Sequence, residues 1–331
     1  MLGLHFAGTH PVTTTELSSL QTPPSGYRHA ALLYAGREEF MRRTVPFLRA
    51  AIAAKEPALV VVGREKIDLL RAALDRDAAR VEFADMDDVG ANPARIIPAW
   101  RDFVASHPGR TLRGIGEPIH PERSSAELIE CQHHERLLNV ALDDSSLFLV
   151  CPYDTDALEP DVIAEARHSH PLIANGEAEL ESRDYLGRDR AAALMGEALP
   201  EPPVWPHRIS FTEESLAAVR AFVATRAEEA GLSLARTDDF VLATHELATN
   251  SVRHGGGGGT LRVWLEPHEL ICEVRDHGRI EDPLVDRRRP RRDQTGGYGL
   301  WLANRLCDLV QLRSGPAGSA VRLHIRLPHG H

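Results

Sequence analysis

Two polar residues four positions apart, Glu246 and Asn250, lie in a segment whose apolar residues recur with helical spacing. On a helix, residues with this spacing lie one turn apart on the same face. A carboxylate can orient and deprotonate a nucleophile, and an amide oxygen is a ligand for hard cations such as Mg²⁺. A solvated polar helix face also explains such a pair, so a functional interpretation requires further residues elsewhere in the chain.

Three later segments could contribute to the same site. The segment from Leu270 to Arg275 alternates like a strand and is followed by Asp276 and by Gly278, a residue type that lets a ligand approach the backbone. Residues 286–293 then hold five arginines and two aspartates, a local charge of +3. Finally, residues 295–300 contain glycines and open a predicted helix. The backbone N–H groups at the start of a helix can stabilise an anion. A turn, a solvated loop or a cap explains each segment alone, but the ordered set is specific.

This ordered set resembles the N box, G1 box, lid and G2 box of the GHKL (Bergerat-fold) ATPases, and Glu246 to Gly255 resembles the anti-sigma-factor serine kinases among them. The resemblance implies ATP and Mg²⁺ as cofactors. Asn250 would hold Mg²⁺, Asp276 would accept a hydrogen bond from the adenine amino group, and Glu246 would be the general base. Gly297 and Gly299 would wrap the phosphates. The remaining nucleotide-binding residues it implies are His254, Gly278, Thr295, Gly296, Tyr298 and Leu300.

One position departs from the family pattern. Ile280 stands where many relatives have the second glycine of the G1 box. Adenine recognition is expected to survive, because it depends on Asp276 and Gly278, whereas the mobility of the lid is expected to differ.

Strand and helix patterns alternate from Ala30 to about residue 175, which predicts a mostly parallel α/β sheet. The loop after the second predicted strand, Gly63 to Ile67, lacks the glycine and lysine spacing that cradles a phosphate. A working P-loop is therefore excluded.

Five short phrases in this region resemble the MEDS sensory domain over residues 27–175. They are residues 29–34, 116–117, 135–139, 151–154 and 170–171. The resemblance implies a RecA-like fold without the P-loop and an input function that senses a small molecule. The candidate sensing residues are His29, Glu117, Cys151, Tyr153, Asp154 and His170.

A metal or haem site is a further hypothesis for this region. Cys131, His133 and His134 fall within one helical turn, and His168 and His170 follow later. Their spacing matches no standard site, so helix surface and local capping are the favoured interpretation. His134 with Glu135 superficially resembles a histidine-kinase phospho-acceptor, but the proline that typically follows is missing, and we reject it.

The chain divides into a flexible leader (1–26), the sensory domain (27–175), a linker (176–206) and the ATP-binding domain (207–328). Four prolines between residues 198 and 206 forbid a regular ladder there. After the linker the predicted order is two helices, a hairpin, a long loop, a helix and two strands. The fold class is therefore α/β followed by α+β, the second unit being a Bergerat-fold α/β sandwich with helices on one face of a mixed sheet.

Composition excludes several classes of partner. The net charge of −10 makes nucleic acid an unlikely main partner, because a polyanion would be repelled. The four cysteines have no paired spacing and are expected to be reduced thiols. The first 26 residues are unlike a signal peptide, and no apolar run reaches the ~18 residues of a membrane span. A cytoplasmic location without membrane attachment is expected, and a homodimer is a reasonable hypothesis.

We therefore expect an ATP-dependent anti-sigma regulatory factor controlled by its sensory domain. Its activity would be that of a serine/threonine protein kinase that phosphorylates an anti-sigma-factor antagonist (a STAS protein), and it could also bind a sigma factor. One alternative is a catalytically silent, nucleotide-dependent binding switch, although the presence of Glu246 favours catalysis. A histidine-kinase-type output module is disfavoured, because no dimerisation-and-acceptor helix pair precedes residue 207.

Overall fold

The computed structural model describes residues 26–174, 179–290 and 297–328. Its N-terminal half is a seven-stranded sheet in the order β3-β2-β4-β5-β1-β6-β7. The strands are β1 (Arg28–Tyr34), β2 (Ala58–Val62), β3 (Glu82–Asp85), β4 (Leu112–Gly116), β5 (Leu147–Asp154), β6 (Leu172–Ala174) and β7 (Glu179–Glu181). The helices are α1 (Gly36–Ala54), α2 (Arg64–Leu74), α3 (Met86–Val89), α4 (Ile96–Ser106), α5 (Ser125–Ala141) and α6 (Pro160–Ser169).

The predicted parallel sheet is confirmed. Every pairing is parallel except the one between β6 and β7. Strand β2 is wholly buried because its alternate side chains enter two different cores. Val60 packs with α1 and α2 on one face, whereas Val61 packs with α4 and α5 on the other. This two-sided burial is the reason that the strand is a continuous apolar run.

The C-terminal unit is a five-stranded sheet in the order β11-β12-β10-β9-β8. Its strands are β8 (His207–Thr212), β9 (Gly258–Glu266), β10 (Glu269–Asp276), β11 (Leu309–Gly315) and β12 (Gly318–Arg326). Its helices are α7 (Leu216–Glu229), α8 (Leu234–His254) and α9 (Tyr298–Leu306), which share one core with the sheet. All pairings among these described strands are antiparallel. The expected sheet covered by helices is confirmed, but among these strands it is antiparallel and not mixed, since hairpins join β9 to β10 and β11 to β12.

Helix α8 is the predicted helix that carries the candidate catalytic pair. It begins at Leu234, because the Ser233 hydroxyl accepts a hydrogen bond from the Arg236 N–H at 3.4 Å. Its buried side chains include Phe240 and Leu247, which lie on the predicted apolar face. Burial of that face fixes the direction in which the polar face points.

The segment between the two sheets is held by both of them. Strand β7 lies inside the predicted linker and pairs with β6, so the first sheet continues past residue 175. Farther along, Glu201 pairs with Arg262 and Arg275, and the Pro200 carbonyl accepts from Arg322. These arginines surround the buried Glu273 on the sheet face opposite the helices. In the described ranges, no helix combines the length and apolar character that crossing a membrane requires.

Candidate functional site

A cavity of about 420 Å³ opens between α8, the end of β10 and the start of α9. This volume is typical of small-molecule sites. The predicted nucleotide-binding residues that line it are Asn250, His254, Asp276, Gly278, Gly297 and Leu300. Apolar walls come from Leu247, Val274 and Ile280. The cavity therefore offers an apolar slot with a few polar groups at its edges.

Three hydrogen bonds hold the Asp276 carboxylate in one orientation. Its Oδ1 accepts from the Gly278 N–H at 2.8 Å and from the Ser319 hydroxyl at 2.7 Å, and its Oδ2 accepts from the Ser251 hydroxyl at 2.6 Å. A carboxylate has about four lone-pair sites, so one remains for a donor in the cavity. Neither serine was predicted from the sequence. Ser251 adjoins Asn250, but nothing local to Ser319 signals its role.

Close packing explains why glycine occupies position 278, in the segment that resembles the G1 box. A Cβ at Gly278 would lie 2.7 Å from the carbonyl oxygen of His254, and a Cβ at Gly255 would lie 2.4 Å from the Asp276 side chain. Neither position has room for a side chain. The end of β10 therefore lies directly against the last turn of α8, which brings Asp276 beside that helix.

The start of α9 meets the polar face of α8. Gly297 precedes the helix with φ of 86°, a left-handed conformation that favours glycine. A Cβ at Gly299 would lie 2.7 Å from Asn250 Nδ2 and 3.3 Å from Glu246 Oε2. The structure thus brings the predicted Glu246–Asn250 pair and the G2 glycine together.

Not every predicted residue lines the cavity. Glu246 is half-buried one turn before Asn250, beside Gly299 but outside the cavity lining, and Tyr298 is exposed at the surface. Thr295 and Gly296 lie outside the described residues. Most of the predicted residues that the structure describes therefore line the cavity, and the Glu246 carboxylate lies next to it.

The lid arginines differ from expectation. In a lid over a nucleotide their charge would face the phosphates, but Arg287 is only 3% exposed, and its Nη2 lies 3.6 Å from Glu130 Oε2 in the sensory domain. Arg288 pairs with Asp282 at 2.7 Å, and Arg289 lies 4.0 Å from Asp102. Acidic partners, two of them in the sensory domain, attract these charges away from the cavity. Residues 291 and 292 lie outside the described residues.

An apolar contact holds the same loop. Leu284 is 2% exposed and belongs to the core cluster of the sensory domain, where it packs near Ile97 and Ala141. Burial of a leucine contributes about 1.5–3 kcal/mol. The loop between β10 and α9 is therefore docked onto the sensory domain.

The sensory domain also caps the end of α9. Arg95 Nε donates to the Asn304 carbonyl at 2.7 Å, and its Nη2 donates to the carbonyls of Arg305 and Cys307 at 3.0 Å each. A cation at a helix C-terminus satisfies free carbonyls and interacts favourably with the helix dipole. Asn92 Nδ2 donates to Asn304 Oδ1 at 3.0 Å. Helix α9 thus meets the cavity at its start and the sensory domain at its end.

Glu130 of α5 is the buried charge at the centre of this interface. Its Oε1 accepts from Arg313 Nη2 at 2.8 Å. Burial alone raises the pKa of Glu130, but His133, Arg313 and Arg287 together hold that pKa below its usual range. The ionised carboxylate therefore joins the lid and β11 to α5. Sequence analysis missed Asn92, Arg95 and Glu130, because each is distant in sequence from its partner.

The six candidate sensing residues form two groups. Glu117 accepts from Tyr34 at 2.9 Å and pairs with Lys66 at the carboxyl edge of the sheet, and Asp154 accepts from the Gly36 N–H at 3.1 Å. The other four, His29, Cys151, Tyr153 and His170, are buried together.

The metal set considered from sequence is not brought together. Cys131 Sγ donates to the Pro118 carbonyl at 3.3 Å, His133 lies beside Glu130, and His168 lies 3.3 Å from Glu165. Only His170 of that set belongs to a cluster of metal-binding side chains among the described residues. Cys131 lies one turn before Glu135 on α5 but donates to Pro118 instead, and His168 lies on a different helix, α6.

In a comparison with known protein families, a different family matches each of the two units. Residues 28–171 match the MEDS family (methanogen/methylotroph, DcmR sensory domain), and residues 209–325 match the histidine kinase-like ATPase domain family. No curated protein matches the chain. Among solved structures, the RsbU and RsbW domains of Rv1364c from Mycobacterium tuberculosis are 22% identical, with a TM-score of 0.29. That match covers 38% of this chain and 34% of the other, so it spans about a third of that protein.

Proposed function

We propose that this chain, which joins a MEDS sensory domain to a histidine kinase-like ATPase domain, is an ATP-dependent anti-sigma regulatory factor with protein serine kinase activity. Its substrate would be a serine on an anti-sigma-factor antagonist of the STAS class, and it would bind that antagonist, a sigma factor or both. The sensory domain would control this output in response to a small molecule.

The observation that carries the proposal is the meeting of Glu246, Asn250 and Gly299 at the rim of a nucleotide-sized cavity. Adenine fits the apolar slot, since the remaining acceptor site on Asp276 is available for its amino group. The amide oxygen of Asn250 would hold Mg²⁺, which supplies charge neutralisation at the phosphates. The N–H groups at the start of α9 would bind phosphate oxygens.

Glu246 would act on the protein substrate. A half-buried carboxylate one turn from the metal ligand can orient a serine hydroxyl and accept its proton during transfer. Because Glu246 lies beside the cavity and not in its lining, nucleotide and hydroxyl would approach Gly299 from different sides.

The docked lid supports control by the sensory domain. Arg287 and Leu284 follow the cavity residue Asp282 by a few positions and are buried against that domain. A change in the sensory domain that moves α5 would therefore move the loop that borders the nucleotide. The two ends of α9 provide a second connection between cavity and sensor.

The direct test is phosphoryl transfer. The full chain is incubated with labelled Mg-ATP and with candidate STAS antagonists encoded nearby, each alongside a variant whose acceptor serine is replaced by alanine. We expect label on the wild-type antagonist alone. Tight ATP binding without transfer to any antagonist would instead support the second candidate, the nucleotide-dependent binding switch.

Replacement of Asn250 by alanine should weaken Mg-ATP binding by about 10- to 100-fold, because a polar contact to a charged group is worth about 1.5–3 kcal/mol. Titration calorimetry measures the change. Leu242→Ala is the matched control, since this exposed residue lies on the same helix outside the cavity lining. Equal affinity of Asn250→Ala and Leu242→Ala for Mg-ATP would contradict the assignment.

A further inference from the structure

Four side chains from separate parts of the sensory domain meet with their ligand atoms within 4.8 Å of one another. They are His29 of β1, Glu135 of α5, Cys151 of β5 and His170, which follows α6. None is more than 1% exposed. They lie in a different domain from the nucleotide cavity, so a ligand bound here would be distinct from the nucleotide.

The sheet register positions the first pair. Strands β1 and β5 are parallel neighbours, and Cys151 lies opposite Ala31, two positions after His29. Because side chains alternate along a strand, His29 and Cys151 point to the same face. Helix α5 covers that face and brings Glu135 to it, and His170 precedes β6, the other neighbour of β1.

The hydrogen bonds around His170 determine which of its nitrogens carries a proton. Its Nδ1 lies 2.8 Å from the Ala166 carbonyl, which can only accept, so Nδ1 donates. In the neutral ring, Nε2 is then a lone pair. That atom lies 3.3 Å from Glu135 Oε2 and makes no hydrogen bond to any described residue.

The same reasoning applies to His29. Asn139 Nδ2 donates to the Ser169 carbonyl at 2.7 Å, so Asn139 Oδ1 is the acceptor for His29 Nδ1 at 3.1 Å. With its Nδ1 proton donated to Asn139, the neutral ring presents the lone pair of Nε2 towards Glu135 and Cys151.

Acceptors thus outnumber donors among these four side chains, because the Cys151 S–H can satisfy only one of the lone pairs that converge there. His29 Nε2 lies 3.1 Å from Glu135 Oε2 and 3.3 Å from Cys151 Sγ. A proton on His29 Nε2 would satisfy those contacts and leave His170 Nε2 unpaired. A single cation at the centre would satisfy both imidazoles, the carboxylate and the sulfur together.

The spacing and the outer contacts suit a tetrahedral metal ion. Ligands about 2.0–2.3 Å from a tetrahedral zinc ion lie about 3.3–3.7 Å from one another. Three separations here are 3.1, 3.3 and 3.3 Å, and all are within 4.8 Å. Metal-bound histidines usually donate their other N–H to a carbonyl or a carboxylate. His170 does so to Ala166, and His29 donates in the same way to the amide oxygen of Asn139.

We propose that His29, Glu135, Cys151 and His170 bind one divalent transition-metal ion in a closed site, and that the mixed nitrogen, sulfur and oxygen set selects zinc. Four protein ligands leave no open position, which is typical of a structural site and not of a catalytic one. The ion would join β1, β5, α5 and the end of α6. Because α5 also carries Glu130, metal occupancy would fix the helix on which the ATPase domain docks.

Cobalt titration of the full chain, stripped of metal, tests this proposal. Wild type should take up about one equivalent of zinc by elemental analysis, and Co²⁺ should give the near-ultraviolet charge-transfer absorption of a cobalt–thiolate bond. Cys151→Ala should lose that absorption and bind zinc at least about tenfold more weakly. Cys131→Ala is the matched control, because this thiol is equally buried, lies on α5 and donates to a carbonyl outside the cluster.

Two results would overturn the proposal. One is folded wild-type protein that gives no cobalt–thiolate absorption at one equivalent of cobalt. The other is Cys151→Ala retaining the wild-type absorption, which would place the thiolate elsewhere. If Cys151→Ala fails to fold, Glu135→Gln, which keeps the side-chain volume, should still show weaker zinc binding than wild type, and unchanged affinity would count against the site.

Discussion

Glu246→Gln should bind Mg-ATP with wild-type affinity and phosphorylate the antagonist at least about 100-fold more slowly, which is the usual contribution of a general base. The amide keeps the volume of the side chain but cannot accept the serine proton. Glu246 lies outside the cavity lining, so its charge contributes little to nucleotide binding. Single-turnover transfer of label and titration calorimetry give the two quantities.

Glu228→Gln is the control for this variant, because it makes the same chemical change at an exposed position on α7. We expect it to retain wild-type transfer. A Glu246→Gln protein that transfers phosphoryl as fast as Glu228→Gln would exclude Glu246 as the base. A Glu246→Gln protein that loses ATP binding would instead place the carboxylate at the metal.

Glu130→Ala should weaken the docking of the sensory domain on the ATPase domain by about 3–5 kcal/mol. The change removes a buried carboxylate and leaves Arg313 and Arg287 as buried cations without their partner. Hydrogen exchange should accelerate in α9 and in the loop around Leu284. Nucleotide affinity or transfer rate should change with it, since this loop borders the cavity.

Glu122→Ala is the control for Glu130→Ala, because Glu122 is exposed in the same domain. It should leave exchange and nucleotide binding at wild-type values. If Glu130→Ala releases α9 and the loop while ATP affinity and transfer stay unchanged, the interface is structural and the sensory domain does not control the output through it. Unchanged exchange would mean that Glu130 does not hold the domains together.

Local sequence patterns determined the elements and the spacing of most candidate nucleotide-binding residues. The apolar run of β2 and the strand–helix alternation were sufficient for a parallel sheet, because period and composition depend on neighbours in sequence. Likewise Glu246 and Asn250 are one turn apart on any helix, and Gly297 and Gly299 open a helix wherever it lies. The roles of these residues in transfer stay a prediction.

Only the tertiary structure determined which residues from different elements come into contact. Glu130 and Arg313 are 183 positions apart, and His29 and Cys151 are 122 positions apart, so no local period relates them. Sequence reasoning grouped the histidines near Cys131 because they are close in the chain, whereas the fold selects one side chain from each of four elements. The +3 charge of the lid was visible in sequence, but the acid that attracts Arg287 was not, because it lies in the other domain. Packing of distant segments, not local preference, therefore placed both the proposed metal-binding cluster and the docked lid.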